Sequence, residues 1–309
     1  MDEVRRFFSN MSSSAVLQFA FGEDKPDAPD SAKDVIMVVM DCEKHEYEPR
    51  ILTEYGLHIF TRKDMLAILN NPGPYGEKLL RQIYYYHMRL RDNAHLANRK
   101  HCKGDPEKNH FGVTRFFSKP DAKGFLSECL AWLIDEHNPD DAKCPVIFLG
   151  FALDNELHML QQELGVDATV FDNVVTIVDT QTIANEQGVY GRGNKIGLED
   201  LINRYNVDFR DGHTASNDAA YTVIAAMQMV MQTQLPQAPK RSLQEVVNDL
   251  EVVSQETNPG WYSHKYCTRC ASTRHKRPDC RGDIKRCEKC LKADNAKMAC
   301  THVTKFCTR

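Results

Sequence analysis

Val35-Ile36-Met37-Val38-Val39-Met40 is an unbroken apolar run, and it ends on Asp41-Cys42-Glu43. Six consecutive apolar residues, two of them β-branched valines side by side, suit a central strand covered on both faces. Side chains alternate along a strand, so Asp41 and Glu43 share one side and Cys42 takes the other. Working outward, Ile51–Phe60 reads as a second strand, Val146–Phe151 as a third and Val174–Asp179 as a fourth. Helical spacing of apolar residues occupies 125–134, Asn155–Leu164, Leu198–Tyr205 and a long stretch from about Asn217 to Gln232. Strands alternating with helices predict an α/β core.

The 309 residues suffice for about two domains, and 42% apolar with 27% charged residues is ordinary for a globular chain. No apolar run approaches the roughly 18–20 residues of a membrane span, so no membrane role is expected. Asp2 and Glu3 with no apolar segment behind them argue against a secretory signal; the expected location is cytoplasmic or nuclear. The net charge of −4 conceals an asymmetry. Residues 261–309 hold 13 Lys and Arg against 4 Asp and Glu, a net of +9, leaving −13 on residues 1–260. A basic tail on an acidic body points to a polyanionic partner.

Cysteine follows the same division. Four of the 11 (Cys42, Cys102, Cys129, Cys144) are scattered through the body, and seven crowd between Cys267 and Cys307. Such clustering fits metal ligation in a reducing compartment better than disulfides. Cys267, Cys270, His275 and Cys280 form a CCHC array that supplies the closed tetrahedral shell of structural Zn2+. A second near-half, Cys287 and Cys290, is followed by Cys300, His302 and Cys307, three candidates for the two remaining places; the closest match to the first unit uses His302 and Cys307 and leaves Cys300 spare. One or two Zn2+ ions are therefore expected. The first array resembles the zinc knuckle of retroviral nucleocapsid and related RNA-binding proteins, which implies contact with single-stranded nucleic acid. Tyr266 and Phe306 are then candidates for stacking on bases, and Arg269, Arg274, Lys276 and Arg277 for engaging phosphates.

The remaining candidates are acidic. Asp154 follows the strand Val146–Phe151. His213 and Asp218 are five residues apart, after Asp211-Gly212 and at the start of the long apolar helix. Taken singly these are ordinary surface charges. In their order and setting, Asp41, Glu43, Asp154, His213 and Asp218 resemble the DEDDh exonucleases. The segment His213-Thr214-Ala215-Ser216-Asn217-Asp218-Ala219-Ala220-Tyr221-Thr222 is similar to the fungal Gfd-type branch, which includes the Argonaute-partner exonuclease of quelling.

The resemblance implies a ribonuclease H-like mixed sheet over about 33–235. It also implies 3′-to-5′ hydrolysis of single-stranded nucleic acid, RNA favoured over DNA. Two Mg2+ or Mn2+ ions would be held by Asp41, Glu43, Asp154 and Asp218, with His213 as general base. An RNA-silencing or RNA-processing protein partner is a further implication. The sequence departs from the family in one place: Phe151-Ala152 stands where many members carry His-Asn, which admits a catalytically weak or inactive RNA-binding scaffold as the alternative. A zinc-tailed adaptor whose body binds protein is a third.

The expected organisation is a flexible arm over 1–32, the nuclease domain over 33–235, a linker with one helix over 236–260 and a tandem zinc-knuckle region over 261–309. The capping-box spacing of Ser242 and Glu245 starts that helix, which runs to about Ser254. An insertion at about 64–120 breaks the nuclease domain. Within it, residues 78–123 carry 11 Lys and Arg, four His and the aromatics Tyr84, Tyr85, Tyr86, Phe111, Phe116 and Phe117. This mixture reads either as a single-strand binding platform or as an ordinary helix over Glu77–Asn98 with its aromatics packed inward.

Overall fold

A computed structural model describes residues 1–47, 51–96, 98, 100–138, 140–167, 171–235, 240–256 and 264–281. Its centre is a six-stranded mixed sheet. In chain order the strands are β1 (Ile36–Lys44), β2 (Leu52–Thr61), β3 (Tyr84–Leu90), β4 (Val113–Phe117), β5 (Val146–Gly150) and β6 (Val174–Asp179), arranged β4-β3-β2-β1-β5-β6. β1, β2 and β3 form an antiparallel meander, whereas β5 lies parallel to β1, β6 parallel to β5, and β4 parallel to β3. The architecture is ribonuclease H-like α/β. Among the described residues no helix is long and apolar enough to cross a membrane.

The helices are α1 (Asp2–Ser9), α2 (Ser13–Ala20), α3 (Arg62–Ile68), α4 (Glu77–Leu80), α5 (Lys119–Cys129), α6 (Asp154–Leu164), α7 (Thr180–Glu186), α8 (Leu198–Asn203), α9 (Ala215–Val230) and α10 (Leu243–Glu256). Two apolar layers flank the sheet. Ile36, Val38, Met40 and Cys42 of β1 face the layer under α5 and α6, while Met37 and Val39 face the layer built around α9. Every residue of α9 is buried. Its Ala219, Ala220, Val223, Ile224, Ala226 and Met227 leave it apolar all round, so the sheet alone cannot cover it.

That requirement corrects the expectation for the N-terminus. Residues 1–32 are not a loose arm: Val4 and Phe8 of α1 and Val16, Leu17, Phe19 and Ala20 of α2 are buried in the α9 layer. Ser12 caps α2 by accepting a hydrogen bond from Ala15 N at 3.2 Å. The stretch 236–260 is corrected in the same way. Its helix α10 starts from the Ser242/Glu245 capping box, with Ser242 N donating to Glu245 Oε2 at 2.8 Å and Glu245 N donating to Ser242 Oγ at 3.2 Å. Leu243, Val246, Val247 and Leu250 then bury against the core, and Ser254 Oγ accepts from Gly112 N at 3.0 Å. This helix is part of the domain rather than a spacer.

The helix considered over Glu77–Asn98 is replaced by the short α4 and the strand β3. Along β3, Tyr86, Met88 and Leu90 join one apolar layer, and Tyr85 joins the other. That period of two, with three tyrosines in succession, is strand chemistry. The helix read over 125–134 starts six residues earlier, because Ser118 and Asp121 form a capping box and Pro120 sits in the first turn. It stops at Cys129.

Candidate active site and a second metal centre

β1 delivers Asp41 and Glu43 to the α9 side of the sheet, while Cys42 is buried on the opposite side. Across the ladder they face Gly56 and Glu54 of β2. Gly56 has no side chain because α9 begins against it; a Cβ there would run into Ala215 O and Ser216 Cα. The start of α9 is pinned to β2 twice more. Glu54 Oε1 accepts from Ala215 N at 3.0 Å, and His58 Nε2 donates to Ser216 O at 2.9 Å. Burial pushes the His58 imidazole down to about 4, so it sits there neutral. The fixed first turn of α9 brings Asp218 in beside Asp41 and Glu43.

His213 stands in the turn before α9 with a left-handed backbone, φ 57°. Its main-chain N donates to Asp218 Oδ2 at 3.0 Å, and its Nδ1 lies 3.6 Å from Glu43 Oε1. Its side chain is half-exposed at 49%, so the ring reaches solvent at the edge of the cavity. The turn is gripped from outside by the segment after Gly104. A Cβ on Gly104 would strike the His213 carbonyl, Thr214 Oγ1 donates to Asp105 O at 3.4 Å, and His110 N donates to Asn217 Oδ1 at 2.8 Å.

The acidic side chains crowd one cavity of about 420 Å3 lined by Asp41, Glu43, Glu156, His213 and Asp218. Burial, reinforced by Asp218, Glu43 and Glu156, holds the Asp41 carboxyl well above the usual carboxylate range. Burial and then Glu43 push Asp218 up to about 8, and burial above all pushes Glu156 up to about 7. Burial also raises Glu43, against the pull of His213. The Glu43 carboxylate in turn raises the His213 imidazole. Three buried carboxylate oxygens, Asp41 Oδ2, Asp218 Oδ1 and Glu156 Oε2, have no hydrogen-bond partner. Unpaired, mutually repelling hard-oxygen donors are what a divalent cation would satisfy, so these residues fit such an ion.

One expected ligand is displaced. Asp154 is exposed at the first position of α6 and does not line the cavity; Glu156 does. Residues two apart on a helix lie about 200° around its axis, so only one of the pair can face the sheet. The apolar spacing held the signal: Leu153, Leu160 and Leu164 are buried, and Glu156 falls three residues after the first and four before the second. The departing segment Phe151-Ala152 forms the turn before α6. Ala152 has φ 57° and its N donates to Asp179 Oδ1 at 3.2 Å. Asp179 also caps α7, accepting from Gln181 N at 2.7 Å.

A second ligand cluster lies in the tail. Cys267, Cys270, His275 and Cys280 each present a ligand atom within 4.8 Å of the others, with Cys270 Sγ 3.4 Å from His275 Nε2. Three sulfurs and an imidazole nitrogen fit a soft-to-borderline ion such as zinc. The module is seated on the α/β body. Tyr266 is buried, its ring centroid 5.2 Å from that of Phe116, and its hydroxyl donates to Arg91 O at 3.2 Å. This corrects its reading as a base-stacking residue: the ring fills the seam and has no free face. Arg269 Nη1 donates to Cys280 O at 3.3 Å, bracing the module, whereas Arg274, Lys276 and Arg277 are exposed. Cys287, Cys290, Cys300, His302, Phe306 and Cys307 lie outside the described residues.

Of the two readings of the insertion aromatics, inward packing holds. Tyr85, Phe111, Phe116 and Phe117 are buried, as are His87, Arg89 and Arg115. Most of the ring content of 78–123 therefore packs inward and is not a platform for bases, whereas Lys78, Arg81, Lys100, Lys103, Lys108 and Lys123 are exposed. Tyr84, 44% exposed, is the exception among its tyrosines.

The sequence matches the family of DNA polymerase III subunit epsilon-like, C-terminal domains (DEDDh_C) over residues 36–229, from the start of β1 to the end of α9. No curated protein matches the chain significantly.

Proposed function

Since the chain belongs to this DEDDh family and is a nuclease of that type, we propose that it removes nucleotides from the 3′ end of a single-stranded nucleic acid, RNA in preference to DNA. The observation that carries this reading is the convergence of Asp41, Glu43, Glu156 and Asp218 on one cavity, three of them with a buried oxygen lacking any partner, beside a half-exposed His213. Glu156 takes the place that Asp154 has in the sequence reading. Two divalent cations, Mg2+ or Mn2+, would supply Lewis-acid stabilisation of charge on the phosphodiester and its leaving oxygen.

The chain's own residues account for the rest. β1 and α9 hold three carboxylates rigidly, so no ordering cost falls on the reaction. His213 is the group placed to take a proton: its ring is solvent-accessible at the cavity edge, and Glu43 stabilises the imidazolium that results. Asp218 accepts the His213 main-chain N–H and so fixes the turn that carries the ring.

The tail centre is proposed to hold Zn2+, and exposed Arg274, Lys276 and Arg277 to meet the phosphates of the strand. Membership of the fungal Gfd-type branch, with an RNA-silencing or RNA-processing partner in cytoplasm or nucleus, is the finer form of the proposal. It rests on the His213–Thr222 resemblance. A second reading, a weakened RNA-binding scaffold, is favoured by one observation: Phe151-Ala152 forms the turn ahead of Glu156, with Ala152 in a left-handed conformation.

The deciding experiment is a time course on 5′-labelled single-stranded RNA and DNA with Mg2+, Mn2+ or EDTA. A metal-dependent ladder shortening from the 3′ end supports the enzyme, and its rate on each sugar gives the preference. An intact strand that shifts on a gel selects the scaffold.

A further inference from the structure

The segment from Gly104 to His110 touches both ligand clusters. On one side it grips the catalytic turn: Gly104 packs against the His213 carbonyl, Asp105 O accepts from Thr214 Oγ1, Lys108 O accepts from Asn217 Nδ2 at 3.2 Å, and His110 N donates to Asn217 Oδ1. On the other side it is held by the tail. Thr268, buried between the ligands Cys267 and Cys270, donates from Oγ1 to Glu107 Oε1 at 3.3 Å. Arg89 Nη1 donates to the same oxygen at 2.8 Å, and the Arg89 guanidinium lies over the Phe116 ring that also receives Tyr266. Of the two residues flanking Cys267, Thr268 docks on this strut at Glu107, and Tyr266 docks beside it on Phe116 and Arg91.

Four ligands within 14 residues leave the module little apolar core of its own. Its 267–271 turn, with Ala271 at φ 61°, is closed by Ala271 N donating to Cys267 O at 2.8 Å; an ion held by the four ligands would lock that turn. His213 is likewise a non-glycine residue in the left-handed region, a conformation that persists only where its surroundings enforce it. The geometry points to a role for the Cys267–Cys270–His275–Cys280 centre beyond strand binding: its metal sets the Thr268–Glu107 contact, and through the 104–110 strut it positions the His213 turn. Thr268 and Glu107 are then positioning residues for the nuclease site. The inference rests on the nuclease reading for its activity readout, and has a second readout that does not.

The test uses the full chain with its zinc content measured, and a substrate too small to span from cleft to tail, the p-nitrophenyl ester of thymidine 5′-monophosphate, in Mg2+. Thr268→Val keeps the side-chain shape and removes the hydroxyl; Thr268→Ser keeps the hydroxyl. Thr268→Val should lower kcat by about five- to tenfold, the low end of ordinary coupling between sites, with KM unchanged. Thr268→Ser should retain kcat. Removing zinc and restoring Mg2+ should lower kcat at least as far, and amide hydrogen exchange over 213–218 should accelerate in both cases.

Equal kcat for the valine and serine variants, with unchanged exchange at 213–218, overturns the inference. So does an effect confined to KM on long strands, which would make the module a nucleic-acid clamp only. Where zinc removal unfolds the chain, the Thr268 pair decides. If the wild type cleaves neither the ester nor any oligonucleotide, the nuclease reading fails, and the exchange rates alone decide the coupling.

Discussion

The two ligand clusters are built on opposite principles. The acidic cleft is assembled on buried secondary structure: β1 supplies Asp41 and Glu43, α9 supplies Asp218 and α6 adds Glu156, so its four carboxylates converge without a cation. The cost appears as repulsion, with Asp218 pushed up to about 8 and three buried oxygens left without partners. The tail centre has almost no core of its own. It takes its packing from the nuclease body through Tyr266 and Phe116, and an ion held by its four ligands would fix its shape. One site is a preformed scaffold whose repulsion a cation would relieve; the other is a short loop that a cation would tie together.

Asp41→Asn strikes the first site hardest. It removes a hard-oxygen ligand at constant volume, so turnover should fall by about 10³-fold or more while the fold survives. Single-turnover cleavage beside a circular dichroism melt checks both halves, and activity within twofold of wild type would break the comparison at its root. Next comes the contest on α6: Glu156→Gln should cost about 10²-fold in kcat, and Asp154→Asn almost nothing. The reverse result would return the ligand to Asp154.

The repulsion also gives a pH signature. Folded Asp218 keeps its proton up to about 8, whereas its ordinary value is 3.8, so between these values the folded state binds more protons than the unfolded. Stability without metal should therefore fall as pH rises through that window, and Mg2+ or Mn2+ should flatten the dependence. Melting temperatures from pH 5 to 9 with and without the ion test this, and a rising metal-free curve would contradict the crowded-carboxylate account.

At the tail, Tyr266→Ala should lower the melting temperature by roughly 5 °C or more, because a buried ring is lost from the seam. An unchanged melt with weaker strand binding would restore Tyr266 to a base-stacking role. The smallest effect is expected from Arg274→Ala with Lys276→Ala. It should reduce the slope of log affinity against log salt by about 2, one for each phosphate contact, without changing kcat.

Much of this was legible from residue order. The apolar run before Asp41 carried the central strand, and alternation placed Asp41 and Glu43 together with Cys42 opposite. The Ser242/Glu245 pair marked the start of α10, and the spacing of Cys267, Cys270, His275 and Cys280 marked their convergence. These are features set within a few residues, where strand pleat, helix capping and tetrahedral ligation impose a fixed period. The misreadings have a common source. Residues 1–32 look irregular until the all-round apolar surface of α9 is seen to need a cover. The insertion reads equally as a nucleic-acid platform or as inward packing until the fold buries Arg89, Arg115 and most of its aromatics.

By itself, then, the sequence determined the local geometry of each motif and the chemical character of both clusters, since these depend on side-chain type and spacing alone. Tertiary structure decided which carboxylate of α6 enters the cleft, which aromatics are spent on packing, and that the tail centre leans on the 104–110 strut behind His213. Those outcomes depend on contacts between residues far apart in the chain, Thr268 with Glu107 and Gly104 with His213. No local period encodes such pairs; burial of a shared apolar surface brings them together.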